Sequence, residues 1–303
     1  MSAPARLRAL LARPGLKLMP CCYDALSARL VEASGFDVTF ASGFSVAAAH
    51  GLPDTGLMSY GEMENAMRRI GGALDTIPCI GDGDTGYGNA VNAKRTVRGY
   101  VAAGLAGMMI EDQIAPKRCG HTRDKQVVDR ATAVMRVQAA VDAAREAAHG
   151  DDASEDRLVI VARTDARATH GLDEALLRAQ LFREAGADVC FVEAPRSVDE
   201  MRAVCRDVGG VQMANMLAGG VTPELPPDEL EELGFKLAAY PLDLLNASIA
   251  GMRRTLRSLK AHERPSADDT LDFSTLQEVV GFPQYYSEEA RYRVKQEEEK
   301  EVR

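Results

Sequence analysis

The chain lacks an excess of positive charge. Its 36 lysines and arginines are outnumbered by 45 acidic residues, for a formal net charge of −9. A nucleic-acid partner would need a basic face, so that class is set aside. No apolar run is long enough to span a bilayer, so no membrane partner is expected. Six cysteines are present (Cys21, Cys22, Cys79, Cys119, Cys190 and Cys205), but none has zinc-ligand spacing and the adjacent Cys21-Cys22 pair is poor disulfide geometry. Several lie in apolar runs, where cysteine is a small buried hydrophobe. That usage fits a reducing compartment, the cytoplasm first, with an organelle still open. No linker or low-complexity stretch divides the sequence, so one domain over residues 1–303 is expected, ending in a helical extension from about residue 260. An acidic protein of this kind must meet anionic small molecules with a metal or a few local cations.

What is present is an alternation. Short apolar runs at residues 16–22, 38–42, 77–82, 108–112, 158–164, 189–194, 211–216 and 235–240 read as strands. Amphipathic stretches at 24–33, 92–103, 131–148, 172–185 and 242–259 read as helices between them. Continuous apolar strands joined by helical crossovers form parallel sheets buried on both faces. Eight such units predict a closed (β/α)8 barrel of the TIM type. The first seventeen residues carry Arg6, Arg8, Arg13 and Lys17 and no acid, which has the composition of a transit segment. Leu7, Leu10 and Leu11 at helical spacing favour an ordinary first helix.

Polar residues gather at the strand ends: Ser42 and Gly43, then Asp82 and Asp84, Glu111 and Asp112, Arg163 and Asp165, Glu193, and Asn215. One charged residue at a strand end is usually a turn or cap residue. Six strand ends in succession, all pointing to one mouth of a parallel barrel, suit a hard-cation and carboxylate site. The run Asp82-Gly83-Asp84-Thr85-Gly86-Tyr87-Gly88 has neither the Lys-Ser/Thr of a P-loop nor the terminal glutamate of an EF-hand. Together with Glu111-Asp112-Gln113 it offers at least three carboxylates around one point, the ligand type magnesium prefers. Pro116-Lys117-Arg118-Cys119-Gly120-His121 forms a basic loop with glycine, suited to a mobile lid. From chemistry alone, Cys119 in it is as readily inert as catalytic.

These motifs, in this order, resemble the isocitrate lyase/phosphoenolpyruvate mutase superfamily. Lys117-Arg118-Cys119-Gly120-His121 matches its lyase motif, flanked by Asp82–Gly88, Arg95-Thr96-Val97 and Ile110-Glu111-Asp112-Gln113 before it. Ala162-Arg163-Thr164-Asp165-Ala166, Gly171-Leu172-Asp173-Glu174-Ala175 and Ala214-Asn215-Met216 follow it. The likeness runs from about Arg6 to beyond Leu259. Cys22-Tyr23-Asp24-Ala25-Leu26, the stretch 42–53 and Phe191-Val192-Glu193-Ala194-Pro195 are most similar to the short, plant-type branch of alkylmalate lyases and oxaloacetate hydrolases, with 2-methylisocitrate lyases nearby.

The resemblance implies roles for individual residues. Asp82 would bind Mg²⁺ directly, Asp84 and Glu111 would hold it through water, and Asp54 would lie near the metal shell, with Mn²⁺ able to substitute. Tyr23, Ser42, Gly43 and Phe44 would hold the α-hydroxy or α-keto carboxylate. Arg163 would clamp a carboxylate, and Glu193, Asn215 and Gly120 would complete the pocket. Cys119 would be the general acid, with Lys117 and His121 beside it in the lid. The implied reaction cleaves a 2-hydroxy di- or tricarboxylate into an α-keto acid and a carboxylate. Oxaloacetate hydrolysis is the alternative, and a phosphonate mutase or a non-catalytic barrel comes after it. The family also implies a homotetramer, a dimer of dimers that exchanges its eighth helix. Three departures bear on the substrate: Gly83 where alanine is common, Cys21 where glycine is common, and Ala218 in place of a glutamate.

Overall fold

The computed structural model describes residues 1–120, 124–150 and 154–293. Eight strands form the centre: β1 (Lys17–Cys22), β2 (Thr39–Ala41), β3 (Cys79–Asp82), β4 (Gly107–Glu111), β5 (Val159–Thr164), β6 (Val189–Val192), β7 (Val211–Asn215) and β8 (Leu237–Tyr240). They pair in parallel in sequence order, and β8 pairs with β1 through Lys17↔Leu237 to Pro20↔Tyr240, closing the barrel. The expected TIM-type fold is the observed one, and each expected strand is found within two residues of its expected ends.

Helices α1 (Ala3–Ala12), α2 (Ala25–Ala33), α3 (Gly43–Ala49), α4 (Tyr60–Gly71) and α5 (Ala90–Ala102) alternate with the first strands. Then come α6 (Arg130–Ala147), α7 (Ala166–His170), α8 (Leu172–Glu184), α9 (Val198–Ala203), α10 (Pro227–Leu233) and α11 (Asp243–Lys260). The last helices are α12 (Phe273–Val280) and α13 (Phe282–Arg291). The chain forms two compact units, Met1–Asn246 with the barrel and Ala247–Arg303 with α12, α13 and most of α11. No helix among the described residues is long and apolar enough to cross a membrane.

Two apolar layers follow from the alternation of side chains along each strand. Met19, Phe40, Ile80, Met109, Val161, Phe191, Met213 and Leu237 point into the barrel. Their neighbours Met108, Ile110, Ile160 and Ala162 point outward and pack under Met63, Met67, Tyr100 and Phe182 of the helices. Leu7 and Leu10 of α1 join the inner layer, and a Cβ on Gly107 at the start of β4 would lie 3.3 Å from Leu7. The helix reading of residues 3–12 therefore holds. Its basic character is structural in part, since Arg8 pairs with Asp188 at 2.8 Å.

Candidate active site

The same alternation builds the site. Two residues beyond six of the eight inward apolar side chains comes a polar one: Phe40 then Ser42, Ile80 then Asp82, Met109 then Glu111, Val161 then Arg163, Phe191 then Glu193, Met213 then Asn215. The barrel interior is an apolar floor with a polar ring one layer above it. A small cavity of about 60 Å³ opens at that ring. Ser42, Phe44, Asp54, Asp82, Lys117, Cys119, Gly120, Arg163, Glu193 and Asn215 all line it. Ten of the residues singled out from the sequence thus meet at one cavity.

Asp82 ends β3 and is held by backbone. The Gly43 N–H donates to its Oδ2 at 3.1 Å, and the Asp84 N–H donates to its Oδ1 at 3.1 Å. A Cβ at Gly43 would sit 2.5 Å from Asp82 Oδ2, so glycine is what lets the start of α3 approach the carboxylate. Asp84 takes left-handed φ (47°), and its Oδ2 accepts from the Tyr87 hydroxyl at 3.2 Å. The Asp84 carbonyl accepts the Glu111 N–H at 2.9 Å, which stitches this loop to β4. Lys117 reaches in from the loop after β4, with Nζ 2.5 Å from Asp54 Oδ1 and 2.8 Å from Asp84 Oδ1. Burial disfavours its charge, but Asp84, Asp82, Glu111 and Asp54 outweigh that and raise it well above the usual lysine value.

Arg163 is ringed by carboxylates. Its Nε lies 2.8 Å from Asp165 Oδ2 and 3.3 Å from Glu111 Oε2, and its Nη2 lies 3.1 Å from Glu193 Oε2. The guanidinium expected to clamp substrate is thus also a protein cross-link joining β4, β5 and β6. Gly120 presses against this pair, because a Cβ there would collide with Arg163 and Glu193. The loop bearing Cys119 therefore lies directly over the polar ring. Gln113 clamps the loop as well: its Nε2 donates to the Arg118 carbonyl at 2.8 Å and its Oε1 accepts the Arg118 N–H at 2.9 Å.

The donors fit a hard divalent cation. Among the described residues, Asp54, Asp82, Asp84, Glu111, Asp165 and Glu193 face three basic side chains, Lys117, Arg163 and Lys125. Burial and then Asp84 push Asp82 up to about 6, as expected where negative charge is under-compensated. Burial likewise pushes Glu111 well up against the pull of Arg163, and its Oε1 has no hydrogen-bond partner among the described residues. No three carboxylate, histidine or cysteine side chains among the described residues converge as direct ligands. Lys117 Nζ lies between Asp54 and Asp84. Magnesium commonly takes one or two carboxylates and keeps its waters, so Asp82 alone suffices as a direct ligand.

Tyr23 is not among the residues that line this cavity. It borders a separate depression with Asp24, His50 and Arg69, and packs against the outer apolar layer. The strand ends at Cys22, and the Tyr23 N–H is taken by Ser27 Oγ in the capping box of α2, which carries the residue away from the barrel axis. His121 lies outside the described residues. Sequence reasoning passed over Asp112 as a support and Lys125 altogether. Asp112 accepts from Thr164 Oγ1 at 2.7 Å, the Asp165 N–H at 2.9 Å and Arg178 at 3.0 Å, so it braces β5 from behind. The strand-end acidic pair Glu111-Asp112 carries this signal: adjacent residues must face opposite sides, one to the site and one to its support.

Comparison with known proteins agrees with this geometry. A family model described as phosphoenolpyruvate phosphomutase matches residues 7–260. The chain belongs to the phosphoenolpyruvate mutase/isocitrate lyase superfamily. It is 42% identical to a protein named carboxyvinyl-carboxyphosphonate phosphorylmutase, chloroplastic, of Arabidopsis thaliana, over 95% of this chain and 84% of that one. It is also 42% identical to the petal death protein of Dianthus caryophyllus, covering 92% of this chain and 86% of that one. To the 2,3-dimethylmalate lyase of Eubacterium barkeri it is 36% identical, over 96% and 99%. A solved structure of oxaloacetate acetylhydrolase with 3,3-difluorooxalacetate superposes with a TM-score of 0.90 at 32% identity, over 96% of this chain and 97% of that one. Phosphonopyruvate hydrolase with oxalate and Mg²⁺ superposes at 0.82 and 28% identity, over 96% and 99%. Several of its relatives in the superfamily are named lyases.

Proposed function

We propose that the chain is a Mg²⁺-dependent lyase that cleaves the C2–C3 bond of a 2-hydroxy dicarboxylate of the 2-alkylmalate type, giving an α-keto acid and a carboxylate. One observation carries this reading: the Cys119 thiol lines the same small cavity as the Asp82 carboxylate and the Arg163–Glu193 pair. A proton donor and a cation-binding carboxylate thus face one enclosed space, which a carbanion-forming cleavage needs.

The chain's own residues supply most of the chemistry. Ser42 and the start of α3 orient the substrate carboxylate beside Asp82, and Asn215 bounds the opposite wall. The proton of the 2-hydroxyl passes to a carboxylate of the polar ring, the O–H electron pair forms the C2=O bond, and C2–C3 breaks with its electron pair left on C3 beside a carboxylate. The Cys119 thiol gives its proton to C3, and the thiolate regains one before the next turnover. Lys117 holds its end of the loop to Asp54 and Asp84, and Gly120 excludes water by packing on Arg163. Asp82, with Asp84 and Glu111 through water, would hold Mg²⁺ or Mn²⁺, which when bound polarises the oxygen that becomes the keto group.

A thiol donor over the cavity separates this reading from phosphonate mutation, in which no carbanion is protonated. Hydrolysis of oxaloacetate to oxalate and acetate is a second reading, favoured by the close superposition on oxaloacetate acetylhydrolase. We place the enzyme in the cytoplasm, on the strength of six free cysteines. The test is an assay of 2,3-dimethylmalate, other 2-alkylmalates, 2-methylisocitrate, isocitrate and oxaloacetate, each with Mg²⁺ and with a chelator. Magnesium-dependent cleavage of a 2-alkylmalate as the best reaction is the expected result. Turnover of oxaloacetate alone selects the hydrolase.

A further inference from the structure

Lys125 has no role in the reading above, yet it is among the most enclosed cations of the molecule. Its side chain is 2% exposed and that of its partner Asp165 is 0% exposed. Lys125 Nζ donates to Asp165 Oδ1 at 2.8 Å and also to the carbonyl of Gly120, the residue after Cys119. We infer that Lys125 is a positioning residue, which fixes the Cys119-Gly120 segment over the cavity by joining the Gly120 carbonyl to Asp165.

The anchor it uses is rigid. Asp165 accepts from Arg163 through both oxygens, at 2.8 and 3.1 Å, and its own N–H donates to Asp112. Asp112 is in turn fixed by Thr164 and by Arg178 of α8. On the other side of Cys119, the Gln113 amide already holds the Arg118 backbone through two hydrogen bonds, and Lys117 is paired with Asp54 and Asp84. Cys119 thus has fixed backbone on both sides, and the Gly120 side is held by Lys125. An ammonium group can serve a carbonyl and a carboxylate at once because it has three donors. A neutral apolar side chain would release the carbonyl and leave Asp165 short of a buried partner. The bland alternative is a salt bridge that stabilises the barrel and nothing more. The two differ in what moves when Lys125 is replaced.

The experiment measures iodoacetamide labelling of each cysteine by peptide mass spectrometry in the parent, Lys125→Met and Lys125→Gln proteins. Cys205, partly exposed and packed in a different apolar cluster, is the internal control for general loosening. Labelling of Cys119 in Lys125→Met should rise about tenfold or more, as a locally opened segment does, with Cys205 unchanged. Lys125→Gln keeps a neutral amide donor group on a shorter side chain and should fall between, and it decides the matter if the methionine variant does not fold. Cleavage of 2,3-dimethylmalate with Mg²⁺ should lose roughly 10–100-fold in kcat with little change in KM, the cost of misplacing a reacting group by about 1 Å. Parental labelling of Cys119 in the folded variants overturns the inference, as does a rise that Cys205 shares equally. The kcat arm rests on the lyase reading and the labelling arm does not. A parent that cleaves none of the 2-hydroxy acids sinks that reading while labelling still decides the role of Lys125.

Discussion

Gly83 shows how one residue can be read in the structure but not in the sequence. The family resemblance implies alanine here, and nothing in its neighbours along the chain gives the reason for glycine. In the fold a Cβ there would meet the Met109 carbonyl at 2.6 Å and the Met108 side chain at 2.9 Å, while its N–H donates to that same carbonyl at 2.8 Å. The close approach of the segment just after β3 to its parallel neighbour β4 leaves no room. Gly83→Ala should lower stability by about 1–3 kcal/mol, the usual cost of overpacking, seen as an earlier urea midpoint. Asp82 has the converse lesson. Removing its carboxylate strips acceptors from the Gly43 and Asp84 N–H groups, so Asp82→Ala would confound loss of fold with loss of metal. Asp82→Asn keeps an acceptor and removes the charge. Its urea midpoint should fall less than that of Asp82→Ala, because one of the two N–H groups keeps its acceptor, while Mg²⁺ binding by calorimetry and turnover should both be lost. Retained Mg²⁺ binding would take Asp82 out of the proposed metal site.

At the scale of elements, the eight strands were legible because doubly buried strands read as unbroken apolar runs, and the helices between them because their apolar faces recur every three or four residues. The strand ends were less so, since a polar residue there can continue the strand, cap a helix or brace a neighbour. Ser42 was read as the end of β2 and is the N-cap of α3. Asp112 was read as closing β4 and faces away from the site. Only long-range partners distinguish these roles, and the sequence does not display them. One such partnership joins α6 to α8. Glu174 on α8 accepts from Arg130 at the start of α6 and from Arg178, and these two hold its carboxyl down at about 2. A depressed carboxylate contributes stability that is complete above the unfolded value of about 4.3 and declines as pH falls through its folded value. The melting-temperature gap between the parent and Glu174→Gln should therefore be constant from pH 8 to about pH 5 and should narrow below that. A gap that widens in acid would contradict the clamp.

At the scale of the whole molecule, the second compact unit carries many exposed apolar side chains. Leu256, Leu259, Phe273, Tyr285, Tyr286 and Tyr292 are all more than half exposed. Exposed aromatic and aliphatic side chains at this density usually meet another chain. We propose the tetramer that the family resemblance implies, with this unit at the subunit contacts. Light scattering at micromolar concentration should give four chains of 32.7 kDa. A mass of one chain would refute the proposal.

The proposed lyase reaction depends on a thiol delivering a proton to a carbanion, and Cys119→Ser tests that most directly. The hydroxyl keeps the size and shape of the loop residue but is a far weaker acid than the thiol. With saturating Mg²⁺ and the best 2-alkylmalate, kcat should fall roughly 10²–10⁴-fold, the range ascribed to a positioned acid, while KM changes little because the carboxylate contacts remain. A Cys119→Ser protein that cleaves the same substrate at the parent rate would contradict the lyase mechanism and favour water attack on oxaloacetate.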